Sequence, residues 1–226
     1  MKKYRLLLIP FAILLLLTPW ISDIDLVLSE WGHTGDWVRY SNGFYTNDFL
    51  DFVYDWFLLP AQLTCFIAGV VFVLSYKKPS LKKYKQDALV AMLCLIIGGG
   101  ILGPVLKETW GRPRPKQIVQ YGGRQEFRPY YKPQLDPIEP SKSFPSGHAI
   151  CGFYFFFLYF MGRRKRNKVM QYGGLSFALA LGGILAVTRI LQGGHFFSDV
   201  FFSLVLMWSI AFFVDRFVYE KKICAT

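Results

Sequence analysis

Three short polar clusters interrupt a largely apolar chain, and their residue types suit the handling of a phosphate group. The first is Lys107-Glu108-Thr109-Trp110-Gly111-Arg112-Pro113-Arg114-Pro115, the second Ser143-Phe144-Pro145-Ser146-Gly147-His148, and the third runs from Thr188-Arg189 through Gly193-Gly194-His195 to Asp199. Hydrolysis of a phosphomonoester needs cations for the nonbridging oxygens, a nucleophile for phosphorus and a proton for the leaving oxygen. Lys107, Arg114 and Arg189 supply three cations, and an arginine presents a planar fork to a phosphate. Ser146 and Gly147 offer a hydroxyl and an unencumbered backbone N–H where a helix is expected to start, a position that favours anions. His195 and Asp199 are four residues apart and share one face if the last helix begins near His195. The carboxylate then holds one imidazole nitrogen as N–H and leaves the other free to attack phosphorus. Gly193-Gly194 permits a tight helix entry, and His148 is the natural general acid.

These clusters need a scaffold, and composition says which kind. Over half of the 226 residues are apolar (53%), yet the formal net charge is +11, so charge and apolarity must be segregated along the chain. Apolar runs cover roughly 6–21, 57–76, 88–106, 149–161, 169–187 and 196–214. That is the pattern of an all-α bundle of six membrane-spanning helices, the shortest of which spans only if its polar flanks also sit at membrane depth. The first run has the charged start of a secretory signal but no small-x-small cleavage site, so it is expected to stay as a helix.

Basic clusters at Lys2/Lys3/Arg5, Lys77–Lys85, Arg163–Lys168 and Lys221/Lys222 all fall on one side of a six-span chain. The positive-inside rule makes that side cytoplasmic and puts both termini there. The three chemical clusters then meet at the opposite, periplasmic face. Segment 22–56 lies on that face with seven acidic residues and one arginine, and it reads as a solvated loop. The loop 107–147 breaks the charge rule with eight Lys or Arg residues against four carboxylates between 107 and 148. Cations gathered at a helix end suggest an anion to be bound, and the many prolines of this loop favour an ordered cover over the site. Residues 1–226 read as one domain.

Other classes fit less well. The four cysteines stand at no metal or redox spacing. Three histidines, one of them His33 in the acidic segment, give no zinc spacing. Nucleic-acid binding is discarded because topology explains the positive charge lying outside the site. A non-catalytic lipid-phosphate binder would need the cations but not a His–Asp pair facing a second histidine. A lipid phosphotransferase remains a second reading of the same residues.

At these positions the chain resembles the type 2 phosphatidic acid phosphatase (PAP2) superfamily. That family's pattern is Lys-x6-Arg-Pro, Pro-Ser-Gly-His and Ser-Arg-x5-His-x3-Asp. Here it reads Lys107-x6-Arg114-Pro115, Pro145-Ser146-Gly147-His148 and Thr188-Arg189-x5-His195-x3-Asp199, with Thr188 for serine as the departure. Arg112-Pro113 repeats the Arg-Pro step two residues early, which makes Arg112 an auxiliary candidate. The resemblance implies a phosphatase without metal or cofactor that acts on a lipid of the bilayer through a phosphohistidine on His195. In that scheme His148 is the acid, Asp199 orients His195, and Lys107, Arg114, Ser146, Gly147 and Arg189 hold the phosphate. The sequence around Trp110–Pro115 and Gln192–Asp199 is most similar to the bacterial lipid A phosphatases. Relatives with nearly the same core act on undecaprenyl diphosphate or phosphatidylglycerol phosphate.

Overall fold

A computed structural model describes residues 5–36, 43–135 and 140–220. Among these residues the chain is helical, with two isolated β-bridges and no strand. The helices are α1 (Arg5–Leu17), α2 (Ile21–Glu30), α3 (Asp48–Trp56), α4 (Leu59–Leu74) and α5 (Lys85–Leu95), followed by α6 (Gly103–Trp110), α7 (Gly147–Phe153), α8 (Phe156–Arg164), α9 (Lys168–Leu191) and α10 (Phe197–Glu220). A π-helical stretch, Ile96–Leu102, joins α5 to α6 and contains the run Gly98-Gly99-Gly100.

Among the described residues, five continuous stretches are long and apolar enough to cross a membrane: Leu7–Glu30, Asp48–Leu74, Pro79–Gln117, Lys168–Leu191 and Phe197–Tyr219. The sixth expected span, 149–161, is divided between the short helices α7 and α8. The basic clusters at the two chain ends lie mostly outside the described residues. The first two spans differ from expectation in length: residues 48–56 of the expected loop are helical and begin the stretch Asp48–Leu74. α1 and α2 form one stretch reaching Glu30, so Asp23 and Asp25 belong to a helix rather than to a solvated loop.

Interior helices pack where small residues let backbones approach, as they do in apolar surroundings. A side chain at Gly152 would meet the backbone of Gly182 at 2.5 Å, so α7 lies directly against α9. Gly162 and Gly174 similarly bring α8 to α9. α10 packs against α1, α2, α5, α7 and α8, and buried aromatic rings such as Phe153, Tyr154, Phe156 and Phe160 fill the spaces between helices. Outward residues of α1 and α4, such as Leu15, Leu16, Phe66 and Ile67, are exposed, as suits helix faces turned to lipid.

Polar groups collect at the two ends of the bundle. At one end Asp87 of α5 accepts hydrogen bonds from Arg164 (2.9 Å), Lys165 and Tyr219 (2.6 Å), and Arg164 also reaches Asp215 at 3.1 Å. This network ties α5, α8 and α10 together. At about 1.5 Å rise per residue, the 24 residues of α9 carry the chain roughly 36 Å away to Arg189 and the other end. There the connection 111–146 is ordered in its described parts. Trp110 donates to the Tyr130 carbonyl (2.7 Å), the Ser143 N–H to the Arg112 carbonyl (3.0 Å) and the Lys116 N–H to the Gly193 carbonyl (3.2 Å).

Candidate active site

Each chemical cluster sits at an element boundary, where backbone geometry aims its side chains. α6 ends at Gly111, whose φ of +61° is left-handed; a side chain there would meet the Gln134 carbonyl at 1.9 Å. This stop releases Arg112 and Arg114 from the helix that carries Lys107. Ser146 caps α7, its hydroxyl accepting from the Ala149 N–H at 3.4 Å, and its own N–H donates to Ser203 at 3.0 Å. After α9 the chain turns at Gly193 (φ +60°). The N–H groups of Gly194 and His195 both donate to the Arg189 carbonyl, at 2.9 and 3.2 Å. α10 begins at Phe197, two residues after His195, so the histidine is held by the turn and the aspartate by the helix.

The His–Asp pair is fully enclosed. His195 is 1% exposed and Asp199 0%. His195 Nδ1 stands 3.8 Å from Asp199 Oδ2, on the correct side for a pair but longer than a hydrogen bond. That oxygen already accepts from the Ser143 hydroxyl (2.6 Å) and the Phe196 N–H (2.8 Å). Burial pushes the His195 imidazole down to about 4, with Asp199 opposing the shift and Arg189 and Lys107 adding to it. The ring is therefore neutral at pH 7, as a nucleophile must be.

A ring of cations surrounds the pair. Lys107 comes so close to Gly147 that a side chain there would lie 3.5 Å from Nζ. Arg189 is buried, its Nη1 donates to Gln192 at 2.7 Å, and its guanidinium packs directly on Gly194, where a β-carbon would be 1.9 Å from Nη2. Arg114 is close enough to weigh electrostatically on Lys107 and Arg189. His148 faces Arg189, His195 and Lys107; burial first, then these charges, pushes its imidazole down to about 3. The structure thus brings together Lys107, Arg114, Gly147, His148, Arg189, His195 and Asp199. Ser146 is beside them, fully buried.

Arg112 differs from expectation. It is 1% exposed, and its donors go to protein partners: Nε to the Arg128 carbonyl (2.8 Å), Nη1 to Ser198 (2.7 Å) and Asp199 (2.5 Å), and Nη2 to Asp25 (2.8 Å). It braces Asp199 and is not spare for a phosphate. The Lys-x6-Arg-Pro spacing favours Arg114 for the phosphate and leaves Arg112 as an auxiliary; nothing in it shows that Arg112 turns inward.

Three residues escaped the sequence reading. Asp25 is fully buried in this brace; the available signal was an ionisable group that hydropathy could have assigned to a span. Tyr54 of α3 stacks on the His148 ring (centroids 4.4 Å apart, planes 24° apart) and lies 4.6 Å from the Arg189 guanidinium carbon. No pattern in the sequence marked it. Lys116 is half-buried and adds its charge beside Arg114 and Arg189; it was visible only as one cation of a basic loop.

Comparison with known proteins agrees with this geometry. Residues 87–223 match the PAP2 superfamily. A lipid A 4'-phosphatase of Francisella tularensis subsp. novicida (strain U112) is 33% identical over 159 residues, which cover 70% of this chain and 68% of that protein. A lipid A 4'-phosphatase of Rhizobium leguminosarum is 34% identical over 125 residues, 54% of this chain and 49% of that protein. No solved structure matches.

Proposed function

We infer the function from one premise, that the chain belongs to the PAP2 superfamily. It is a multi-pass membrane phosphatase acting on lipids, and lipid A is the substrate we propose, with the 1- or 4'-phosphate as the scissile group. The names of both relatives support that choice, with undecaprenyl diphosphate and phosphatidylglycerol phosphate as the alternatives. The observation that carries the reading is the buried His195–Asp199 pair set within the cations Lys107, Arg114 and Arg189, with His148 opposite.

In the proposed reaction Lys107, Arg114 and Arg189 take the phosphate oxygens, joined by the Gly147 N–H and the Ser146 hydroxyl. Ser146 accepts at its cap, which leaves its O–H proton for a phosphate oxygen. His195 keeps its proton on Nδ1 toward Asp199 and attacks phosphorus through Nε2. The P–O bond to the lipid breaks as the P–N bond forms, and His148 protonates the departing oxygen. His148 then takes a proton from water, water attacks the phosphohistidine, and inorganic phosphate leaves with His195 restored. Moving His195 about 1 Å closes its 3.8 Å gap to Asp199 to hydrogen-bond length as the ring becomes positive. His148 is neutral beside bare cations, but a bound phosphate dianion cancels their repulsion and raises its proton affinity. The substrate thereby brings the charge that makes His148 an acid. No residue of this scheme requires a metal.

The proposed setting is a bacterial inner membrane crossed six times, with 149–161 as the fourth span, both termini cytoplasmic and the site facing the periplasm. The charge pattern supports this: the basic residues Arg163, Arg164 and Lys168 lie at the α8–α9 junction, at the far end of α9 from Arg189, where the positive-inside rule expects cytoplasm. The test is phosphate release by the detergent-solubilised protein from lipid A, undecaprenyl diphosphate, phosphatidylglycerol phosphate and phosphatidic acid, with His195→Ala alongside. Release from lipid A that requires His195 is expected. A strong preference for another lipid moves the substrate assignment, and equal release by the alanine variant overturns the nucleophile.

A further inference from the structure

Behind the His–Asp pair lies a buried charge cluster that the phosphate chemistry does not itself call for. Asp25 comes from α2, Arg112 from the turn after α6, and Ser198 and Asp199 from the first turn of α10. The side chains of Asp25, Arg112 and Asp199 are 0% exposed. Asp25 Oδ1 accepts from the Ser198 N–H at 2.7 Å, and Oδ2 accepts from the Ser198 hydroxyl (2.6 Å) and Arg112 Nη2 (2.8 Å). Arg112 Nη1 donates both to the Ser198 oxygen and to Asp199 Oδ1.

The hydrogens can be assigned without conflict. Ser198 accepts from Arg112 and donates to Asp25, so every group hydrogen-bonded to the Asp25 carboxylate is a donor and the carboxylate needs no proton of its own. Two carboxylates thus share one guanidinium, leaving one excess negative charge enclosed in the protein. Buried charge is costly unless it is matched. His195 stands 3.8 Å from Asp199, and its ring becomes positive only when Nε2 bonds to phosphorus. Lys107 and Arg189, the other charges facing His195, are engaged by the phosphate in the same step.

We propose that Asp25 is a positioning residue for the phosphoryl-transfer step: it draws on Arg112 so that this guanidinium fixes Asp199 in place without quenching the carboxylate's pull on the His195 ring. Without Asp25, Arg112 would pair with Asp199 alone, and the cluster would be neutral before charge develops on the histidine. Because the interaction grows as the ring becomes positive, it favours the transition state over the bound substrate. This rests on the phosphohistidine reading given above.

The experiment compares the whole protein with its Asp25→Asn and Asp25→Glu variants. It measures kcat and KM, together with the affinities for orthovanadate and inorganic phosphate. Vanadate adopts the five-coordinate geometry of the transferring group and bonds to an imidazole nitrogen, whereas phosphate only occupies the cations. Asp25→Asn is expected to lower kcat about 10- to 100-fold, the scale of a small misplacement of a reacting group. It should weaken vanadate by a similar factor while KM and phosphate affinity stay within about twofold. Asp25→Glu should restore most of the vanadate affinity. If Asp25→Asn does not fold, Ser198→Ala, which loosens the same contacts without removing a charge, is expected to show the same split to a smaller degree. Wild-type kcat and vanadate affinity in a folded variant overturn the proposal, as does an equal loss of vanadate and phosphate, which marks a purely structural role. A wild-type protein that binds vanadate but releases no phosphate from any lipid overturns the phosphatase reading instead, and the vanadate comparison still decides the role of Asp25.

Discussion

Gly194→Ala separates the site from the fold. A β-carbon at this position would sit 1.9 Å from Arg189 Nη2, 2.5 Å from Cζ and 2.9 Å from Nε. Ordinary contact begins near 3.4 Å, so the end of the guanidinium must retreat by about 1.5 Å. It is the far end of a flexible side chain, and no backbone atom is among the three nearest obstacles, so the helices need not move. The retreat breaks the 2.7 Å bond to Gln192 and disturbs the packing on Tyr54. Those losses amount to about 1–2 kcal/mol of stability. The same displacement removes a phosphate-oriented fork from its place, which costs about 10²- to 10³-fold in kcat. Phosphate release and thermal unfolding measured on the same detergent preparation give both numbers. A variant within threefold of wild-type kcat would refute the placement of Arg189 in the reaction. Loss of the folded protein would refute the claim that only a side chain has to yield. Gly193→Ala is the control: with φ at +60° and a Phe44 ring atom 2.5 Å from the new carbon, it should lose stability first.

Further outcomes follow from the same geometry. Tyr54→Leu removes the stacking on His148 and the ring beside Arg189, each worth about 1 kcal/mol, so the folded protein should lose about 2 kcal/mol of stability, and kcat should fall about tenfold as His148 and Arg189 lose their orientation; an unaltered kcat sinks the assignment of Tyr54 to the site. His195 and His148 are held at about 4 and 3, below the ordinary 6.5, so the unfolded chain binds protons that the folded chain does not. Stability from these groups is fully present above pH 6.5 and is lost as pH falls through about 4 for His195 and about 3 for His148. The unfolding temperature should drop across that window, and less steeply in a His148→Asn/His195→Asn variant; parallel curves would contradict the shifts. EDTA should leave turnover unchanged, whereas loss of activity restored by one added metal would overturn the metal-free reaction.

The sequence made the residues that meet at the candidate site legible because their chemistry and spacing are local. Lys107 to Arg114, Ser146 to His148 and His195 to Asp199 each fall within one turn or helix end, and three separated clusters that meet at one end of the bundle leave few other purposes. The brace behind them was hidden by the same locality. Asp25 follows an apolar run in a stretch with Asp23, Ser22 and Ser29, a composition that reads as exposed until Arg112 is seen to come from 87 residues away to meet it. Arg112 itself offered a cation of the right type for phosphate, and only the left-handed stop at Gly111 and the cover provided by Arg128 and Phe196 show that it turns inward. Tyr54 acts through ring contacts, which leave no spacing pattern in a chain with 13 tyrosines. Five apolar runs marked helices long enough to span, although Leu7–Glu30 and Asp48–Leu74 extend well past the runs that marked them, and the sixth run, 149–161, is divided between two short helices.

The most direct test of the central claim is rapid acid-free quenching of the enzyme during turnover of lipid A, followed by intact mass and site mapping. The account predicts one phosphoryl group on His195, acid-labile and base-stable as a phosphoimidazole is, and absent from His195→Asn. Steady turnover in the variant, or a phosphoryl group found on another residue, contradicts it.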